Sequence, residues 1–299
     1  MKILLVVNPK SGKRLGKRSF FDRIFEILDG RHQVERYFLR DYSGEIFDKY
    51  QRGDFDVVVA VGGDGTVNTC VNLILKYLKK ASLLIIPAGS TNASIFGLGG
   101  SDSQKSSLKK LKTIDRLDKI VTDVGYLKDL DRYFLQSLVI GYLATISELT
   151  DQPLKNKYGF WGYCLKILKN NKPVIRNFRL EVDGQVFDIE VGTLGIHNVF
   201  RNLGKIPTRQ IVKCQDGKLD AIFYAYDNFF KFFVSVLYFI FLKGNTKRKL
   251  KHFVGRSFNL ELTSGLPAEW NIDGEKLPKM SIGDNICCEC LASRLTILV

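Results

Sequence analysis

The stretch Val57-Val58-Val59-Ala60-Val61-Gly62-Gly63-Asp64-Gly65-Thr66-Val67-Asn68 decides how the rest of the chain is read. Its apolar, β-branched start reads as a buried strand. The glycine cluster lets the backbone turn tightly and come close to a ligand. An apolar-periodic helix pattern follows over residues 71–78, and the amides at a helix start suit an anion, especially phosphate. A carboxylate at the centre of the cluster would repel a bare phosphate. It makes sense if Asp64 faces a metal ion that bridges to phosphates, or a hydroxyl about to be phosphorylated. Taken alone, the motif also reads as a strand–helix turn with an incidental Asp.

Working outward, the first third alternates strand and helix. Residues 3–7 read as a strand, and the spacing of Phe20, Phe21, Ile24, Phe25 and Leu28 is helical. Residues 34–39, 57–61 and 83–86 read as further strands. Residues 101–112, polar and lysine-rich, read as a surface helix or connector. This pattern predicts a parallel sheet with ligand-binding loops at the C-terminal ends of its strands. From about Asp123 short apolar runs recur between Gly, Asn and Asp turns, at 133–141, 178–182, 186–195, 219–226, 258–262 and 286–291. They predict an antiparallel sheet domain. The expected division is an α/β domain over 1–122 and a β-rich domain over 123–292.

Net charge is +14, from 45 basic and 31 acidic residues among 299. That favours anionic partners: a nucleotide, an acidic membrane surface or nucleic acid. For nucleic acid only the charge speaks, since no aromatic-interleaved platform is legible. Residues 3–7 are too short for the apolar core of a signal peptide, so the expectation is a cytoplasmic protein. The six cysteines do not read as a disulfide framework. Cys287, Cys288 and Cys290 fall in an apolar run with no histidine near, which favours a reduced core strand over zinc.

Residues 229–242 are aromatic and apolar almost all round, interrupted by Lys231 and too short to span a bilayer. Lys243, Lys247, Arg248, Lys249 and Lys251 follow. Such a segment can dock on an anionic membrane or form a buried helix with a solvated basic loop.

Three motifs stand where a parallel sheet presents its loops: Asn8-Pro9-Lys10-Ser11-Gly12, the glycine cluster, and Pro87-Ala88-Gly89-Ser90-Thr91-Asn92. The second half adds Asp216-Gly217-Lys218-Leu219-Asp220, Asn271-Ile272-Asp273-Gly274-Glu275 and the 155–163 segment. In this order they resemble the diacylglycerol kinase catalytic domain family, which also holds sphingosine and ceramide kinases and bacterial soluble lipid kinases. The resemblance covers essentially the whole chain. It implies ATP in a cleft between a nucleotide domain, 1–122 with the chain end at about 293–299 returning to it, and an antiparallel β-sandwich lipid domain over 123–292, with a lipid hydroxyl taking the γ-phosphate.

The same resemblance implies residue roles. Asn8, Pro9, Lys10, Ser11 and Gly12 would line the nucleotide, with Gly62, Gly63, Asp64, Gly65, Thr66, Val67, Asn68 and Thr69, and with Ser90 beside them. Asp64 would act with Mg²⁺ at the phosphates, and Glu275 would be the general base on the lipid hydroxyl. Asp216 would hold a structural Mg²⁺ with the main-chain carbonyls of Lys213 and Lys218, near Asp123 of the Mg²⁺–water network. Read by themselves, Asp273-Gly274-Glu275 is a hairpin turn and Asp216-Gly217 an Asp-Gly turn. Two departures stand out. Thr69 occupies a position usually Glu, and Asn92-Ala93-Ser94 stands where the family has Asn-Asp-Phe. The third motif is closer to its ceramide kinase variant. The expected partners are a lipid at an anionic membrane surface, no nucleic acid, and a homodimer as an open arrangement. The competing readings are a ceramide- or sphingoid-type kinase, a catalytically weak lipid- or nucleotide-binding homologue, and a NAD kinase. The third motif and the aromatic segment speak against the last of these.

Overall fold

A computed structural model describes residues 1–11, 18–39, 44–89, 92–149, 174–203, 206–226, 230–231 and 250–299. Gly12, Ser90, the 155–163 segment, nearly all of the aromatic 229–242 run, and Lys243, Lys247, Arg248 and Lys249 lie outside the described residues.

The first half alternates β1 (Lys2–Val7), α1 (Arg18–Asp29), β2 (Gln33–Phe38), α2 (Glu45–Tyr50), β3 (Val57–Gly62), α3 (Asp64–Lys76) and β4 (Ser82–Pro87). The strands pair in parallel in the order β2-β1-β3-β4. Successive side chains of a strand point to opposite faces, so a sheet covered on both sides needs apolar residues throughout. β3 meets that demand, with every residue buried. Val57, Val59 and Val61 pack with Phe20, Ile24 and Leu28 of α1 on one face. Val58 and Ala60 pack with Val67, Val71 and Ile74 of α3 on the other. α3 starts at Asp64, seven residues before its apolar period becomes legible. Its first two turns bury the polar side chains of Thr66 and Asn68 beside Val67 and Cys70, so the hydrophobic stripe is interrupted there.

Then come α4 (Ala93–Gly97), α5 (Gln104–Lys112), β5 (Lys119–Leu127), β6 (Arg132–Phe134), β7 (Ser137–Gly141) and α6 (Tyr142–Leu149). Residues 133–141 are thus two strands, parted by a loop that proves to matter below. The remaining strands are β8 (Arg176–Val182), β9 (Gln185–Val191), β10 (Thr193–His197), β11 (Phe200–Leu203), β12 (Ile206–Val212), β13 (Leu219–Tyr224), β14 (Leu250–Gly255), β15 (Ser257–Ser264), β16 (Trp270–Ile272), β17 (Glu275–Lys276) and β18 (Asn285–Leu298). The 186–195 run is likewise divided, at Gly192, where a Cβ would meet the Tyr226 carbonyl oxygen at 2.8 Å.

A six-stranded antiparallel sheet runs β14-β13-β10-β7-β16-β17. It faces β8, β9, β15 and the first part of β18 across a core that includes Phe134, Phe178, Phe223 and Phe258. This is two sheets face to face, a sandwich. The long β18 joins the two halves. Its first part pairs antiparallel with β15, and its last residues lie beside β4, with Ile297 opposite Leu83. Between them it follows β5 through a register shift at Leu291/Leu295. Cys288 is buried in this strand while Cys287 and Cys290 are half-buried. Among the described residues no helix is long and apolar enough to cross a membrane.

Candidate active site

The three loop motifs gather at the C-terminal edge of the parallel strands. Asn8 ends β1: its amide donates to the Val61 carbonyl at 3.0 Å, and its Oδ1 accepts from the Lys10 amide at 2.9 Å. The β3 and β4 loops touch through glycine. A Cβ on Gly89 would meet the Gly63 Cα at 2.6 Å, a backbone contact that no side chain could share. Asn92, in the left-handed region at φ 50, clamps Gly89 by accepting from its amide and donating to its carbonyl, each at 2.9 Å. The crevice between the two loops is filled by their own atoms.

Gly63 caps α3 in extended conformation without a side-chain hydrogen bond, so the first amides of α3 are the donors that a helix start leaves over. Thr66 Oγ1 in this turn is buried with no partner among the described residues. A Cβ on Gly62 would meet that same oxygen.

Asp64 is held more firmly than its motif suggests. Its Oδ2 accepts from the Ala93 amide at 3.1 Å. Its Oδ1 accepts from the Ser94 amide at 2.9 Å, Ser94 Oγ at 2.8 Å and Gln136 Nε2 at 3.1 Å. The carboxylate therefore ties the β4–α4 loop to α3. Ser94, one of the departures from the family pattern, supplies two of the four donors.

Gln136 leads to the second acidic motif. It lies in the β6–β7 loop, whose amides at Leu135, Gln136 and Ser137 all donate to Asp273, at 2.8, 2.8 and 2.9 Å. Asp273 also accepts from Asn68 Nδ2 at 2.8 Å. Burial raises its carboxyl above the ordinary carboxylate range, and these hydrogen bonds offset part of that rise. Asp273 and Gly274 both have positive φ, 49 and 82, and Ile272 pairs with Glu275 across them. Such a two-residue turn needs left-handed residues. The hairpin reading of Asp-Gly-Glu and its place in the site are thus both true of the same residues.

Glu275 projects from this hairpin into a cavity of about 210 Å³, lined also by Leu39, Phe47, Asn68, Thr69 and Arg132. Arg132 grips Glu275 with both terminal nitrogens, Nη2 to Oε2 at 2.6 Å and Nη1 to Oε1 at 3.3 Å. Its Nη2 also approaches Asn68 Oδ1 at 3.4 Å. Thr69 turns its hydroxyl back to the Gly65 carbonyl at 3.0 Å.

The remaining sequence-predicted group lies where β5, β18 and the turn before β13 meet. Asp123, fully buried, accepts from the Gly217 amide and the Ser293 amide, both at 2.7 Å. Asp123 and the Asp216–Lys218 turn are therefore in contact through Gly217, which has φ +71. Asp216 itself is exposed and accepts from the Lys218 amide at 3.1 Å. A carboxylate with two main-chain carbonyls is an all-oxygen donor set, the kind that Mg²⁺ takes while keeping several waters. Among the described residues no group of three or more His, Cys, Asp or Glu side chains is placed to hold a metal.

Sequence reasoning missed Arg132, Gln136 and Ser94 as site residues. Nothing in the local pattern marks Arg132: it is one basic residue of many beside a three-residue strand.

Comparison with known proteins agrees with this layout. Residues 2–125 match the diacylglycerol kinase catalytic domain. Over 92% of its length the chain is 28% identical to a diacylglycerol kinase of Staphylococcus haemolyticus (strain JCSC1435), covering 83% of that protein. It is 26% identical to one of Staphylococcus aureus (strain Newman), again over 92% of the chain and covering 87% of the relative. A solved structure from Bacillus anthracis str. Sterne matches 99% of the chain and 96% of its own, with TM-score 0.78 and 26% identity. A second from that organism, at 24% identity and TM-score 0.76, shares the fold. With a parallel sheet carrying its glycine loops, and a sandwich bringing Glu275 beside α3, the chain is similar in sequence and fold to diacylglycerol kinases, and its residues 2–125 match their catalytic domain.

Proposed function

We propose that this protein is an ATP-dependent lipid kinase, and that diacylglycerol or a related lipid takes the phosphoryl group on its free hydroxyl. One observation carries the reading. Glu275, 207 positions beyond Asn68 in sequence, shares one cavity with it on the face of α3 behind the glycine loop. Asn8, Pro9, Lys10, Ser11 and Gly12, the glycine loop with Gly62 to Thr69, and Ser90 form the nucleotide side. The free amides at the start of α3 suit the phosphates. In the reaction the lipid oxygen forms a bond to the γ-phosphorus while the bond to the ADP oxygen breaks. Glu275 takes the hydroxyl proton. The apolar side chains of Leu39 and Phe47 give the cavity a wall suited to a lipid.

The donors present fit Mg²⁺. When bound, Mg²⁺ would neutralise phosphate charge. Asp64 would hold it through Oδ2, which accepts only the Ala93 amide, while Oδ1 serves Ser94 and Gln136. Asp216, with the carbonyls of Lys213 and Lys218, would hold a structural ion, and Asp123 would fix the turn that presents them. We assign residues 1–122 with 293–299 to the nucleotide domain and 123–292 to the lipid domain. The basic run at 243–251, on a chain of net charge +14, would place the enzyme on an anionic membrane surface.

Radiolabelled ATP with diacylglycerol, monoacylglycerol, ceramide and sphingosine in mixed micelles tests the proposal. Labelled phospholipid from one of them is expected. No labelled lipid from any, with ATP still bound, would favour a catalytically weak binding protein, the reading that Thr69 and Ala93 support.

A further inference from the structure

The Arg132–Glu275 pair is unusual for a general base, because both oxygens of the carboxylate face one guanidinium. We propose that Arg132 is a transferable clamp: it holds Glu275 until the terminal phosphate of ATP takes over its guanidinium, and so frees the base only when the phosphoryl donor is in place. This rests on the kinase reading above.

The geometry supplies each part. A guanidinium presents a planar fork that fits a carboxylate and a phosphate alike, so one anion can replace the other without remodelling the donor. The pair is neither sealed nor loose: the Arg132 and Glu275 side chains are 24% and 29% exposed, and both line the cavity. The far side of the guanidinium rests near Asn68 Oδ1 at 3.4 Å. Asn68 is itself fixed by donating to Asp273 and to the Tyr133 carbonyl. Asn68 lies four residues into α3, about 6 Å along the axis from the amides proposed for the phosphates. The fork must therefore travel on the order of 6 Å from one anion toward the other, which the long arginine side chain allows by a change of rotamer. Among the described residues, the other cation lining the cavity, Lys76, is paired with Asp131 at 2.7 Å.

The consequence is an order of events. With Arg132 on Glu275, one lone pair on each carboxylate oxygen is engaged and the carboxylate is turned toward the guanidinium. Once the fork moves to the phosphate, Glu275 turns to the hydroxyl, and Arg132 counters charge on the phosphoryl group as the new oxygen–phosphorus bond forms. The proton ends on Glu275 and ADP leaves.

This makes a prediction that a plain general base does not. Glu275 competes with nucleotide for Arg132, so Glu275→Gln should tighten binding. Titration calorimetry with Mg²⁺ and the non-hydrolysable β,γ-imido analogue of ATP would measure this in the wild type, Glu275→Gln, Arg132→Gln and the double variant. Glu275→Gln is expected to bind roughly fivefold tighter, the worth of a part-exposed ion pair. Arg132→Gln should bind roughly tenfold weaker. The double variant should match Arg132→Gln, because the gain requires the arginine. Arg132→Lys should recover part of the turnover lost in Arg132→Gln, since charge returns without the fork. Thermal unfolding of each variant confirms that the fold is kept. Unchanged or weaker binding by Glu275→Gln, or the same gain in the double variant, overturns the clamp while leaving the kinase reading intact. A wild type that binds no analogue and labels no lipid overturns both.

Discussion

Asp273 and Asn68 stand 205 residues apart in the chain and share a hydrogen bond of 2.8 Å. Asp273 belongs to the hairpin that presents Glu275, and Asn68 to the helix that follows the glycine loop. Through the β6–β7 loop amides and Gln136, the same carboxylate is connected to Asp64. The acids of the two sequence motifs are thus tied into one hydrogen-bonded unit.

Asp273→Asn should therefore damage both stability and turnover. Four N–H groups converge on the Asp273 oxygens, and an amide offers one oxygen where the carboxylate offers two. At least one buried donor pair would lose its acceptor, at a cost of about 2–4 kcal/mol. Chemical unfolding should show the loss, and turnover should fall more than ATP binding because Glu275 is displaced. Wild-type unfolding would show that the clamp on the loop is redundant.

Asp64→Asn is expected to lower phosphoryl transfer by about two decades or more. It should also cost about 1–2 kcal/mol of stability, since the Ala93 and Ser94 amides need both oxygens. A lipid phosphorylation assay and thermal unfolding, run on the same preparation, separate the two effects. Full activity in this variant would remove Asp64 from the site.

Gly89→Ala should be harmful where Gly30→Ala is not. The new Cβ would lie 2.6 Å from the Gly63 Cα, so one of the two loops must move. At Gly30 the nearest atom is the Glu26 carbonyl oxygen at 3.9 Å. Activity and unfolding temperature should drop together for the first variant, and the second should stay within about 0.5 kcal/mol of the parent.

His197 predicts a pH dependence. Burial, more than the neighbouring His252, lowers its pKa to about 4, with Asp220 opposing. A depressed folded-state value means that the unfolded chain binds the extra proton. Stability contributed by neutral His197 is thus full above the unfolded value of about 6.5 and is lost as pH falls toward 4, by up to about 3 kcal/mol. Urea unfolding at pH 7 and pH 4.5 should show a smaller difference in His197→Gln than in the wild type.

Vesicle binding tests the proposed membrane surface. Each basic side chain near an anionic surface adds about 1 kcal/mol, screened by salt. Sedimentation with anionic vesicles should fall as salt rises. It should fall further when Lys243, Lys247, Arg248, Lys249 and Lys251 are replaced by Gln, with ATP affinity kept. Equal binding to neutral vesicles would place the lipid entry elsewhere.

The parallel half was legible because its signals are local. A sheet covered on both faces requires unbroken apolar strands such as 57–61, and the loops after them must carry the glycines and polar residues that approach a ligand. Asp64 could be picked out as candidate chemistry for the same reason, whereas Glu275 was marked only by the resemblance of its motif to the kinase family. What they touch could not be picked out. The donors on Asp64 come from Ser94 and Gln136, and the partner of Glu275 is Arg132, 143 residues away. Those contacts exist only because β18 runs from the sandwich back to β4 and because β16 lies beside β7 with β17 beside β16. Hydrogen bonds between distant segments leave no period in the sequence. The chain itself set which groups could do chemistry, and the long-range strand pairing decided which of them face each other.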